Sequence, residues 1–154
     1  MDLRPATAED REFLFGVFAS TRDQEMAAVP WTPEQKDVFL RMQFQAQDQY
    51  YRAQYPGSEF LVILAPDGPA GRLYVYHSEQ EILLLDISLL PAYRKRGLGT
   101  RLLQDLQAES RTAGKPLRIH VERMNPALTL YERLGFRRIE DQGVYWYMEW
   151  RHDG

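Results

Sequence analysis

The stretch Arg94-Lys95-Arg96-Gly97-Leu98-Gly99-Thr100 lies between a hydrophobic run, Glu81 to Leu90 (E-I-L-L-L-D-I-S-L-L), and a segment that places Leu98, Leu102, Leu103 and Leu106 on one helical face. Two glycines one residue apart, flanked by cations where a strand hands over to a helix, predict a cradle for a pyrophosphate. Backbone N–H groups at a helix N-terminus bind anions without special side chains. Glycine suits positions 97 and 99 because a Cβ would obstruct close approach of the backbone to phosphate. The charge distribution agrees. Residues 94–118 carry 7 basic and 2 acidic side chains, whereas residues 1–60 carry 6 and 10, and the whole chain has a net charge of −3. A local basic block on an acidic chain points to a small polyanion; binding to nucleic acid would call for a basic surface overall.

Working outward from this turn, the run Glu81 to Leu90 reads as a central strand buried on both faces. Upstream, Asp2 to Ala6 predicts a first strand, and Thr7 caps a helix to about Thr21 with Phe13, Leu14, Val17 and Phe18 as its apolar face. Thr32-Pro33-Glu34-Gln35 is a second helix start, with a capping threonine, a proline at the first helical position and a glutamine three residues after the cap. That helix carries Val38, Phe39, Met42 and Phe44 and ends before Pro56-Gly57. Glu59 to Ala65 and Gly71 to His77 form strands around the turn Pro66-Asp67-Gly68. Downstream, the helix after the glycines stops near Gly114, and Leu117 to Val121 is another strand. Asn125-Pro126 starts a short helix ending at Gly135, and Phe136 to Ile139 and Val144 to Trp150 close the chain as a hairpin around Asp141-Gln142-Gly143. The order β-α-α-β-β-β-α-β-α-β-β predicts an α/β fold, a mixed sheet with helices packed on it.

A length of 154 residues predicts one domain over residues 1–154, large enough for a real core. The chain has no cysteine, which removes disulfides, thiol nucleophiles and zinc fingers together. No apolar signal-peptide core and no run of eighteen apolar residues is present, so a cytoplasmic protein is expected.

At this point the sequence resembles the GNAT superfamily of N-acetyltransferases. The phosphate signature of that family, Q/R-x-x-G-x-G/A, is matched by Arg94, Gly97 and Gly99. Its second signature is matched by N-P-A-L-T-L-Y-E-R-L-G-F, with Asn125, Tyr131 and Leu134-Gly135-Phe136 in place. The resemblance implies a mostly antiparallel sheet of about seven strands with a splayed central pair, flanked by about four helices. It further implies acetyl-CoA as co-substrate and no metal. The pantetheine arm would pair with backbone around Ser88, Leu89 and Leu90, and the pyrophosphate would sit on the N–H groups of Lys95, Arg96, Gly97, Leu98, Gly99 and Thr100. Asn125 reads first as a helix cap and second as a cofactor contact, and Leu128 shares a face with Tyr131.

By the same resemblance Tyr131 is the acid that protonates the departing thiolate, a step that requires a positioned proton donor. The attacking amine must be neutral, so an ammonium near pKa 10 has to lose a proton first. Glu81 resembles the glutamate base of histone-type members, and His120 resembles the base of some ribosomal-protein acetyltransferases. His77 and Asp86 are weaker options, and the sequence does not choose among them. The oxyanion donor would be the backbone N–H of Leu89.

The resemblance implies an amine acceptor, either a small molecule or a protein N-terminus. By the same resemblance the segment between the first two strands, with Met26, Trp31, Phe39, Phe44, Tyr50, Tyr51 and Tyr55, supplies much of its pocket, and Phe44 to Tyr55 is expected as a lid or a homodimer contact. No membrane partner is expected, and nucleic acid is disfavoured by the overall acidity. Two rival readings stand beside this one: a non-catalytic acyl-CoA-binding sensory module, and an acetyltransferase acting on charged tRNA. A dinucleotide-binding enzyme is disfavoured, because G-x-G-x-x-G is missing at the turn.

Overall fold

In a computed structural model, residues 2–153 are described, and the chain divides into two compact units. The first comprises the residues up to Tyr74 together with Asp86–Arg94, and the second comprises Val75–Leu85 and the residues from Lys95 onward.

The first unit opens with β1 (Asp2–Pro5), which pairs antiparallel with β2 (Glu59–Ala65) in the register Asp2↔Leu64 to Pro5↔Leu61. The helix expected from Thr7 begins as a 3-10 turn, Ala8–Asp10, and becomes α1 at Arg11–Ser20. The turn winds tightly because the Asp10 carboxylate captures the Thr7 N–H at 2.8 Å while the Asp10 N–H bonds the Thr7 carbonyl. A five-residue helix, α2 (Asp23–Ala27), follows; it buries no residue and so left no apolar period in the sequence.

The long helix α3 (Pro33–Gln54) starts as expected, with Thr32 Oγ1 accepting the Gln35 N–H and Gln35 Oε1 accepting the Thr32 N–H. Its buried face differs from the one expected. Leu40 and Phe44 are buried with Gln47 and Tyr51 half-buried behind them, whereas Val38 and Met42 are exposed. The stripe 40-44-47-51 follows the helical period, and 38 and 42 fall outside it. Leu40 and Phe44 pack with Leu14, Phe15 and Phe18 of α1 and Val62 of β2. The Phe44 ring lies 5.7 Å from both Phe15 and Phe18, edge-on or tilted, a geometry that favours aromatic pairs.

In the second unit, α4 (Leu98–Ala113) buries Leu102, Leu103 and Leu106 and packs against β5 (Leu117–Glu122). It stops at Gly114, which takes the left-handed conformation (φ 69°) that closes many helices. Along β5, Leu117, Ile119 and Val121 are buried while His120 and Glu122 are exposed, the alternation of a strand with one covered face. The short helix α5 (Leu128–Arg133) leads into the hairpin β6 (Arg137–Gln142) and β7 (Tyr145–Trp150), whose turn is Gly143-Val144. Strand β6 is thus longer than the expected Phe136 to Ile139, because an Arg138/Glu140 bulge lets pairing continue to Gln142↔Tyr145.

Strands β3 (Gly68–His77) and β4 (Ile82–Leu89) contribute residues to both units. The hydrogen-bonded order is β1-β2-β3-β4-β5-β7-β6, a seven-stranded, mostly antiparallel sheet, as expected. The parallel register of β4 and β5 runs from Ile82↔Leu117 to Leu84↔Ile119. Among the described residues five α-helices accompany the sheet where about four were expected, the extra one being α2.

Candidate active site

The glycine turn belongs to the second unit. Lys95 and Gly97 both take left-handed backbone conformations, with φ of 62° and 79°. Gly97 is the N-cap of α4, and its carbonyl accepts the Arg101 N–H, so Leu98, Gly99 and Thr100 form the first turn. The N–H groups of a first turn have no helical acceptor. No acidic residue occupies this turn, and the N-terminal end of the helix dipole is positive. A Cβ built on Gly97 or on Gly99 would meet no protein atom within 4 Å. Packing therefore explains neither glycine. Gly97 is accounted for by its positive φ, whereas at Gly99, which has no such φ and open space above it, nothing within the protein requires a glycine.

Asn125 Oδ1 accepts the Ala127 N–H at 2.9 Å, and its carbonyl accepts the Leu128 N–H. The expected cap at Asn125 and first helical position at Pro126 are corrected accordingly. Asn125 builds a turn two residues earlier, Ala127 occupies the cap, and α5 begins at Leu128. Tyr131 and Leu128 lie one turn apart on α5. Tyr131 is buried at 4 % exposure, with its ring 5.7 Å from Phe136, and its backbone carbonyl accepts the Phe136 N–H.

Glu81 and His120, the two leading base candidates, share one neighbour that sequence reasoning missed. Tyr147 of β7 donates its phenol O–H to Glu81 Oε1 at 2.9 Å, and His120 stacks on the Tyr147 ring at 4.5 Å and 13°. Burial and the Glu81 carboxylate push the Tyr147 phenol up to about 12. Arg118 reaches Glu81 at 3.4 Å and Glu149 at 2.9 Å, and His120 Nδ1 lies 2.9 Å from Gln142 Oε1. Alternation along β5 and β7 was the signal available, since His120↔Tyr147 and Arg118↔Glu149 are directly paired. His77 Nε2 lies 2.5 Å from Glu109, an exposed pair.

The remaining candidates belong to the first unit. Ser88 and Leu89 end β4, Leu90 follows it, and the 3-10 turn Pro91–Tyr93 brings the chain to Arg94. Asp86 accepts from Ser88 Oγ at 3.0 Å and from Arg72 Nε at 2.5 Å. Arg72 is 2 % exposed, donates to Gln47 Oε1 at 2.8 Å, and lies over the Tyr74 ring at 4.8 Å. Burial alone would lower the pKa of this guanidinium, but the charge of Asp86 reverses the effect and raises it.

Of the acceptor-pocket candidates, Phe44 is part of the core, while Trp31 and Phe39 pair edge-on at 5.2 Å. Those two line an open groove with Glu34, Gln35, Val38 and Met42. Among the described residues no helix is long and apolar enough to cross a membrane.

A family model described as an acetyltransferase (GNAT) domain matches residues 56–138, more than half of the chain. No curated protein matches the sequence. Among solved structures, the fold is similar to that of PaiA N-acetyltransferase from Thermoplasma acidophilum, solved in complex with coenzyme A, at a TM-score of 0.73, with 20% identity and 98% of each chain covered. An acetyltransferase from Thermus thermophilus gives 0.68 at 21% identity, covering 96% of this chain and 94% of the other. The ribosomal-protein-S18-alanine N-acetyltransferase of Escherichia coli gives 0.62 at 20% identity, covering 96% and 90%.

Proposed function

The chain belongs to the GNAT acetyltransferase family, and from that premise we propose that it transfers the acetyl group of acetyl-CoA to an amine by direct attack within a ternary complex. The observation that carries this reading is the empty space over Gly97 and Gly99 at the start of α4. A first helical turn with free donors, a positive dipole end and no Cβ in the way suits a pyrophosphate. Lys95, Arg96 and the N–H groups from Lys95 to Thr100 supply the phosphate contacts, and Arg94 opens the signature. Ser88, Leu89 and Leu90 supply backbone groups for the pantetheine arm, and Asn125 and Leu128 complete the cofactor set.

In the reaction, the acceptor ammonium first loses a proton, and its nitrogen then attacks the thioester carbonyl. The Leu89 N–H stabilises the resulting oxyanion. Attack forms the C–N bond; collapse of the tetrahedral intermediate then breaks the C–S bond, the nitrogen gives up its second proton to the base, and the departing thiolate takes a proton from Tyr131. Glu81 and His120 are the proposed bases. Their common contact with Tyr147 supports treating them as one cluster, to be tested together.

The test is thiol release from acetyl-CoA with a panel of small amines and peptide N-termini, with mass spectrometry of the products. An acetylated amine supports the enzyme. Tight acetyl-CoA binding with no product from any acceptor favours the sensory module.

A further inference from the structure

Arg94 opens the phosphate signature, yet its side chain is committed elsewhere. Nε donates to the carbonyl of Leu89 at 2.9 Å, and Nη2 reaches Ser20 Oγ at the end of α1 at 3.3 Å. The turn that makes this reach feasible is tight: the Tyr93 N–H bonds the Leu90 carbonyl and the Arg94 N–H bonds the Pro91 carbonyl. The Leu89–Leu90 peptide is thereby held at both ends, its carbonyl by Arg94 and its N–H by the Ala70 carbonyl at 2.8 Å. The preceding peptide is confined as well. A Cβ on Gly71 would lie 2.1 Å from the Ser88 carbonyl oxygen and 3.0 Å from Leu89 Cα, so only glycine allows that approach.

We propose that Arg94 is a positioning residue, a strut whose guanidinium fixes the Leu89–Leu90 peptide and with it the direction of the Leu89 N–H, and that it is not a phosphate ligand. This rests on the acetyl-CoA reading above, because that reading makes Leu89 the oxyanion donor. A hydrogen bond from a charged donor to a carbonyl is stronger than a neutral one, and an oxyanion donor works only when aimed in advance.

Two substitutions separate the strut from a phosphate contact. Arg94→Lys keeps the charge but has no Nε–H to place on the Leu89 carbonyl, whereas Arg94→Ala removes both. For a strut, both variants lose kcat by about tenfold or more. Both retain affinity for adenosine 3′-phosphate 5′-diphosphate, the pantetheine-free part of coenzyme A, to within about twofold of wild type. Amide hydrogen exchange on the ligand-free protein is expected to speed up at Leu89 and Leu90 in both. Full kcat in the lysine variant, lost fragment affinity in the alanine variant, or unchanged exchange at Leu89 and Leu90 would overturn the proposal. A wild type that binds neither the fragment nor acetyl-CoA overturns the acetyl-CoA reading instead. The exchange measurement needs no ligand, so it keeps that failure apart from failure of the strut.

Discussion

Tyr131 meets two demands at once: it is a buried ring packed against Phe136, and its phenol is the proposed acid. Tyr131→Phe keeps the ring and removes only the hydroxyl, so it separates the two roles. Turnover is expected to fall by about a hundredfold, within the usual range for general acid catalysis, while calorimetry finds acetyl-CoA affinity unchanged. Unchanged turnover would leave Tyr131 as a core residue only. In the Arg72–Asp86 pair the guanidinium is buried at 2 % exposure and the carboxylate is half-buried. Asp86→Asn leaves the Arg72 guanidinium charged, desolvated and without its counter-ion, an arrangement that costs about 3 kcal/mol. Urea unfolding checks the value, and a loss below about 0.5 kcal/mol would mean that Gln47 and the Tyr74 ring suffice for Arg72.

At the scale of the element, the start of α1 depends on Asp10, which accepts from Arg4 through two bonds of 2.8 Å and from the Thr7 N–H. The Arg4 guanidinium first, and the Thr7 N–H second, hold its carboxyl well below the usual carboxylate range. A depressed folded-state pKa stabilises the native protein above the unfolded value, about 4 for aspartate, and that contribution is lost as pH falls toward the folded value. Asp10→Asn removes the titration. Wild type is expected to melt higher than this variant at pH 7, with the gap closing as pH drops below about 4; a gap that stays constant down to pH 2.5 would contradict the assignment.

The elements also show what the chain made legible. The start of α3 was readable because Thr32, Pro33 and Gln35 carry their own capping chemistry. The buried face of α3 was misread because Val38 and Met42 are apolar yet exposed, and hydrophobicity alone cannot say which stripe meets a partner. Helix α2 left no trace because nothing in it is buried. At the site, glycines and cations in a short linear motif were visible. The Glu81–Tyr147–His120 cluster joins residues 66 apart in the sequence and becomes visible only once β5 and β7 are in register.

For the molecule as a whole, the account rests on one contrast. An acidic chain of net charge −3 concentrates its basic side chains in residues 94–118, around a turn whose two glycines face open space. Gly97 is a poor place to test this, because its positive φ makes any side chain a strain on the fold itself. Gly99 is a good one: it lies in the first turn of α4 without a positive φ, and an added Cβ would meet no protein atom within 4 Å. The most direct measurement is therefore acetyl-CoA titration by calorimetry of wild type and Gly99→Trp, each checked by thermal melting. The account predicts that wild type binds and that the variant melts no lower yet loses affinity by at least about a hundredfold, or about 2.8 kcal/mol. Equal affinity in a fully folded Gly99→Trp protein would contradict it, because the pyrophosphate would then lie somewhere other than on this turn.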